Sequence, residues 1–69
     1  MIFETDYRLW NDENVFEWLI NNVGESYVTT ATTGIGQGWE VHVNPRPGTT
    51  ITIAIDDREL ATAFKLRFL

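Results

Sequence analysis

Two segments in the second half of the chain alternate apolar and polar residues, at residues 39–43 and residues 49–55. The apolar residues on one side of these segments are Trp39, Val41, Val43, Ile51, Ile53 and Ile55. A period of two predicts β-strands with one buried face and one solvated face. The connecting residues 44–48 carry two prolines, which cannot join a central ladder, so they are predicted to form a rigid loop. This pattern requires a sheet that packs on one side only.

A helix is predicted at residues 12–23. Asn11 or Asp12 can accept hydrogen bonds from the free N–H groups of its first turn. Gly24 is expected to end the helix in the left-handed conformation. The apolar residues that recur at helical spacing are Val15, Phe16, Leu19, Ile20 and Val23.

Further strands are predicted at residues 2–5 and residues 26–33, the second of which is rich in threonine. Residues 34–38 hold three glycines and are expected to be the five-residue loop of a hairpin between residues 26–33 and residues 39–43. Asp56 is the expected N-cap of a short helix at residues 57–63. Residues 65–69 alternate again and predict a last strand, with Leu66 and Phe68 inward.

The resulting order is β-α-β-β-β-α-β, which favours one α+β domain over residues 1–69. The expected architecture is a two-layer sandwich. It has a mostly antiparallel sheet of three to five strands, with both helices on one face, and a ferredoxin-like variant is one option. With 69 residues and no cysteine, the chain has to be stabilised by packing its nine aromatic side chains.

The charge balance argues against several classes of partner. Ten acidic and five basic residues give a net charge of −5, whereas nucleic-acid binding usually needs a basic patch. No apolar run reaches the ~18 residues of a membrane span. The absence of cysteine fits a reducing cytoplasm, which is the predicted location.

No cofactor, metal or catalytic site is predicted. Gly34, Gly36 and Gly38 lack the spacing and the strand-to-helix setting of a phosphate loop. His42 is the sole histidine, so it cannot build a zinc site; it is expected on the solvated sheet face beside Glu40. The remaining acidic cluster, Asp56, Asp57 and Glu59, is better explained by helix capping than by magnesium binding.

Three residues are predicted to bind a partner protein: Trp18, Trp10 and Arg46. Trp18 points about 130° away from the centre of the apolar stripe, at 100° per residue. A tryptophan outside the core is a common interface anchor. The alternative is that Tyr7, Trp10 or the N-terminal segment covers it. Arg46 sits on the stiff loop between the alternating segments.

The tail at residues 56–68, an acidic-capped helix running into Phe64-Lys65-Leu66, resembles the C-terminal ends of small uncharacterised proteins of tailed bacteriophages. The resemblance covers about a fifth of the chain and includes no known active residues. It implies a phage accessory protein acting in the host cytoplasm.

The function predicted from these observations is a non-enzymatic protein-interaction module, such as a phage accessory or inhibitor protein that binds a host protein. One alternative is a homo-oligomeric structural component, for which a homodimer is the simplest form. A second is a small ligand-binding protein or enzyme, which requires a concave pocket around His42 and a carboxylate.

Overall fold

A computed structural model describes residues 1–46 and 48–69 of the chain. Its elements in order are β1 (Ile2–Asp6), a 3₁₀ helix (Tyr7–Asn11), α1 (Glu13–Asn22), β2 (Ser26–Thr29), β3 (Thr33–Gly36), β4 (Trp39–Val43), β5 (Thr50–Ile55) and α2 (Arg58–Phe68). The α+β class is confirmed. Pro47, in the predicted rigid loop, lies outside the described residues.

The strands form one five-stranded sheet in the order β1-β5-β4-β3-β2, and every neighbouring pair is antiparallel. The first strand pairs with the last, and the remaining strands follow as a meander. As a result β1 and β2 are the two edges of the sheet.

The core lies against one face of this sheet. The register pairs Trp39 with Ile55 and Val41 with Ile53, so the alternating residues share a face as predicted. Both helices contribute to the same buried cluster. Its members are Val15, Leu19, Trp39, Val41, Ile51, Ile53, Ile55, Ala61 and Phe64.

Helix α1 forms where the sequence predicts it. The Asp12 side chain accepts a hydrogen bond from the Asn14 N–H at 2.9 Å, so Asp12 rather than Asn11 is the N-cap. The expected left-handed Gly24 is wrong, because Gly24 has no positive φ. A glycine is required there for space, since a Cβ would collide with the Gln37 carbonyl oxygen.

The expected five-residue glycine loop is also wrong. Gly34 and Gly36 lie inside β3, and the actual turn to β4 is Gln37-Gly38, with φ +81° at Gly38. Aromatic rings cover both strand glycines: a Cβ on Gly34 would lie 2.7 Å from Phe16, and one on Gly36 would overlap the Trp39 indole. Glycine is therefore needed at these two positions because the rings pack directly against the strand backbone.

The predicted last strand is wrong as well, and with it the β-α-β-β-β-α-β order. Helix α2 continues through Phe68 because Ala61, Phe64 and Phe68 also fit a helical stripe. Its N-cap is Asp57, which accepts hydrogen bonds from two backbone N–H groups, and not Asp56. Leu66, expected inward, is 84% exposed.

Candidate functional site: an open sheet edge

Trp18 packs against α2 instead of standing outside the core. Its indole meets the ring of Phe64 at 5.6 Å and the ring of Phe68 at 6.2 Å, both edge-on. The sequence left open whether Trp18 is an exposed anchor or is covered within the chain; in the structure it is half-buried, with two rings of α2 packed against it. The cover is the last turn of α2, in the segment predicted to be a strand. A role for Trp18 in partner binding stays a prediction.

The other two predicted partner residues lie on different elements. Trp10, in the 3₁₀ helix, is half-buried and packs edge-on against Phe16 at 5.3 Å. Arg46 is exposed in the loop between β4 and β5. None of these contacts joins one predicted partner residue to another.

The solvated face of the sheet holds two small hydrogen-bond networks. His42 Nε2 lies 3.2 Å from Glu40 Oε2, so the predicted neighbours meet, and His42 Nδ1 lies 3.4 Å from Thr33 Oγ1. The His42 and Glu40 side chains are 42% and 52% exposed. The carboxylate of Glu40, the imidazole of His42 and the hydroxyl of Thr33 therefore form a hydrogen-bonded chain. This chain lies on an open surface, where water competes for each of its hydrogen bonds.

A second network on this face centres on Asn44. Its amide donates to Glu4 at 3.2 Å and to Thr50 at 2.9 Å, and its oxygen accepts from Thr52 at 2.9 Å. These bonds tie β1 to β5 and to the end of β4. The network therefore fixes the side chains on this part of the sheet surface.

Two grooves lie away from this face. One, of about 320 Å³, runs beside Asp6, Arg8 and the C-terminal Phe68 and Leu69. The Arg8 backbone N–H and guanidinium hold the pKa of the Asp6 carboxyl below its usual value. The other, of about 180 Å³, includes Trp18 and Phe68. Neither groove includes His42, so neither forms the pocket that the enzyme alternative requires.

Strand β2 is the most exposed element of the sheet. All four of its residues are exposed, including Tyr27 at 60% and Val28 at 49%, and none of them is charged. The opposite edge differs, because β1 presents the exposed carboxylates of Glu4 and Asp6. Charge on an edge strand discourages pairing with another chain. One edge is therefore protected by charge, whereas β2 has only its short length and a bulge.

The backbone of β2 has hydrogen-bonding groups that face away from the sheet. Thr30 N–H donates to the Thr33 carbonyl at 2.7 Å, and Val28 pairs with Ile35. Because bonded and non-bonded positions alternate along an antiparallel pair, the N–H and C=O of Thr29 point outward. The register shift between Ser26 and Val28 is the bulge, and it falls at Tyr27.

The acidic and basic residues are distributed unevenly along the sequence. Residues 9–45, which include α1 and β2 to β4, contain five of the ten acidic residues and none of the five lysines and arginines. The remaining residues contain five of each sign. In the folded protein this excess is not confined to the β2 side, because Asp12 lines a groove with Arg8 and Glu17 lines a groove with Arg67.

Sequence reasoning missed this edge because it joined residues 26–33 into one strand and paired that strand with β4. In the structure the chain turns at residues 30–32. Residues 33–36 then form a separate strand, β3, which lies between β2 and β4. The available signal was the uncharged stretch Ser26-Tyr27-Val28-Thr29, but nothing local to it shows that it lies at an edge.

Comparisons with protein-family models, with curated proteins and with solved structures found no match to this chain. Within the described ranges, no three or more His, Asp or Glu side chains are grouped so that they would hold a metal ion. No helix in that part of the chain has the length and apolarity needed to cross a membrane.

Proposed function

We propose that this protein is a non-enzymatic protein-interaction module that accepts an extended segment of a partner protein along β2. The observation that carries the proposal is the unpaired, uncharged edge with Tyr27 and Val28 exposed. Strand addition uses main-chain hydrogen bonds for affinity and alternate side chains for specificity. The outward N–H and C=O of Thr29 supply the first of these, and Tyr27 and Val28 the second.

The size of the edge sets the strength of the complex. Four residues at about 3.3 Å each offer about 13 Å of strand. Each net hydrogen bond contributes about 0.5–1.5 kcal/mol, and the interface falls in the small class that is typical of transient complexes. A reversible complex with fast exchange is expected.

A homo-oligomer that uses the same edge is the second candidate. Two β2 strands could pair antiparallel about a two-fold axis, because the same surface then meets itself. The uncharged sequence of β2 favours this pairing, because no like charges would meet along the two paired strands.

A proline substitution can remove an outward hydrogen-bond donor of an edge strand while the folded sheet stays intact. Thr29→Pro removes an N–H that makes no bond within the sheet, so β2 stays paired with β3 while an added strand loses its donor. Glu4→Pro is the matched control, because the bonds of Met1 with Ile55 and of Tyr7 with Thr49 make the Glu4 N–H point outward on β1.

The assay is capture of partner proteins from cells of the source organism by each variant, after circular dichroism has shown that each is folded. The proposal expects specific capture by the wild type and by Glu4→Pro, and a loss of about two- to tenfold in affinity with Thr29→Pro (about 0.5–1.5 kcal/mol). Equal capture by all three, with all three folded, would refute it. If Thr29→Pro does not fold, Tyr27→Lys tests the same edge through charge.

The resemblance of residues 56–68 to phage proteins extends this proposal to a phage accessory or inhibitor protein that binds a host protein. Support for the extension comes from the tail sequence alone. Its test is the identity of the captured partner: a bacterial protein whose activity falls when it binds this chain supports the extension.

A further inference from the structure

Building on the proposed function, we infer that the segment that pairs with β2 is uncharged and alternates serine or threonine with apolar residues. This pattern follows from the side chains that the register of the sheet places on each face of β2. Residues that stand directly opposite each other on neighbouring strands share a face. An added strand would therefore extend the rows of side chains that already cross β4, β3 and β2.

One of these rows lies on the solvated face of the sheet and has an apolar end. Val28 stands opposite Ile35, and Ile35 stands opposite Glu40. Val28 is 49% exposed at the edge, whereas Ile35 is half-buried behind it. The residue of the segment that lies beside Val28 is therefore expected to be apolar, because it removes the exposed surface of Val28 from water.

The rows on the other face of the sheet end in hydroxyl groups. Thr29 and Ser26 stand opposite the two glycines of β3, and these rows continue to Val41 and Trp39 in the core. Both hydroxyl residues are exposed, and their side-chain oxygens lie 3.3 Å apart. Threonine and serine pair across strands through hydrogen bonds. The residues of the segment that lie beside Thr29 and Ser26 are therefore expected to be threonine or serine.

A charged side chain on the segment fits neither kind of row. In the apolar row it would lose hydration against Val28 without gaining a partner. In the hydroxyl rows it would find no opposite charge, because β2 and β3, over Ser26–Thr29 and Thr33–Gly36, contain no charged residue. A neutral segment has neither cost.

A second copy of β2 has a similar composition but cannot match both kinds of row. An antiparallel pair forms its hydrogen bonds between outward-facing residues, and outside the bulge that residue is Thr29. Pairing Thr29 of one copy with Thr29 of the other places Val28 opposite the hydroxyl of Thr30. Centring the pair on Val28 instead places Thr29 opposite Tyr27, where the bulge disrupts the ladder. A separate segment is free of this constraint.

The experiment adds peptides to the ¹⁵N-labelled full chain at about 0.15 M salt, where long-range charge effects are screened. Two peptides have the same composition and the same glycine–serine flanks: one alternates threonine with valine, and the other has the threonines and the valines in separate blocks. Backbone amide shifts of β2 report the site, and titration gives the affinity. A cross-strand pair changes affinity by about 1.4- to 5-fold, so we expect the alternating peptide to bind about threefold more tightly.

Two further peptides test the absence of charge. They replace the threonines of the alternating peptide by lysine or by glutamate, and both should bind along β2 more weakly than the threonine peptide. A lysine or glutamate peptide that binds β2 more tightly than the threonine peptide would overturn the inference.

The variants change one β-branched residue at each end of the same row. Val28→Thr replaces the apolar end of the row with a side chain of similar shape and should abolish the preference for the alternating peptide. Ile2→Thr is the matched control, because Ile2 is 74% exposed on the opposite edge, where it stands opposite Ala54 in the row that leads to Val28. It should leave the preference unchanged. A dispersed amide spectrum shows that each variant is folded.

The failures are distinguishable. If the alternating and the blocked peptide shift β2 with equal affinity, strand addition holds and the inferred pattern is wrong. If Ile2→Thr abolishes the preference as Val28→Thr does, the row at β2 is not its cause and the inference is also wrong. If no peptide shifts β2, or if β2 shifts only with the concentration of the protein itself, the proposed binding of a partner segment fails and the inference fails with it.

Discussion

Substitution of Gly36 by alanine tests the packing of β3 because two physical effects predict opposite signs. Alanine restricts the unfolded chain more than glycine does, which alone would stabilise the fold by about 0.4–1 kcal/mol. In the structure, however, the new Cβ would overlap the indole of Trp39. The sign of the change in unfolding free energy therefore shows which effect dominates.

The indole has little freedom to move aside. Trp39 is 2% exposed, and its Nε1 donates a hydrogen bond to the Gly24 carbonyl at 2.7 Å. Overpacking a core costs about 1–3 kcal/mol, and an indole N–H pushed off its acceptor costs about 1–3 kcal/mol more. We therefore expect Gly36→Ala to lose about 2–5 kcal/mol, which is most of the stability of a domain this small.

Urea unfolding followed by far-ultraviolet circular dichroism measures this change. With a slope of about 1–3 kcal/mol per molar, the midpoint should fall by about 1 M or more. Gly34→Ala is the matched control, because its Cβ would approach the edge of Phe16 at 2.7 Å and would meet Trp39 only at an ordinary contact distance of 3.5 Å, and Phe16 is half-buried and can turn. It should lose clearly less. A midpoint for Gly36→Ala that equals or exceeds that of the wild type would refute the close contact between β3 and Trp39.

Two further substitutions test the second helix and its contact with the first. Asp57→Ala should lower the unfolding free energy by about 0.5–2 kcal/mol because it removes the N-cap, whereas Asp56→Ala should change it by less than about 0.5 kcal/mol; equal losses in thermal melts would contradict the observed cap. Trp18→Ala should lose about 2–3 kcal/mol in urea unfolding because it removes two edge-on contacts, with Phe64 and Phe68; unchanged stability would restore the view of Trp18 as a free surface anchor.

Elements with a single dominant pattern were predictable from sequence. Strands β4 and β5 bury one face and therefore show strict alternation over their length. Helix α1 has a clear apolar stripe and an N-cap at Asp12. In each case neighbouring residues determine the element, so the local sequence is enough to predict it.

The errors come from causes that lie elsewhere in the chain. Gly34 and Gly36 looked like turn residues, but their small size is required by rings that approach from α1 and β4. Residues 64–68 alternate and also fit a helix, and a segment this short does not distinguish the two periods. Trp18 looked uncovered because the position of a residue on its own helix says nothing about a second helix beside it.

The candidate site was missed for a topological reason. Whether a strand lies at an edge depends on where every other strand inserts, and here β1 pairs with β5 and leaves β2 with one neighbour. The residues of β2 are typical of any half-buried strand. Only the finished sheet shows that Tyr27 and Val28 are exposed at its end.

The contrast between the two edges favours the interpretation that β2 is a binding edge and not simply a strand left without protection. A single lysine in β2 would be enough to protect the edge. Edge β1 has such protection in Glu4 and Asp6, whereas β2 is a neutral strand with outward backbone groups that can pair. An edge without such charge is the one at which we propose that a partner strand is added.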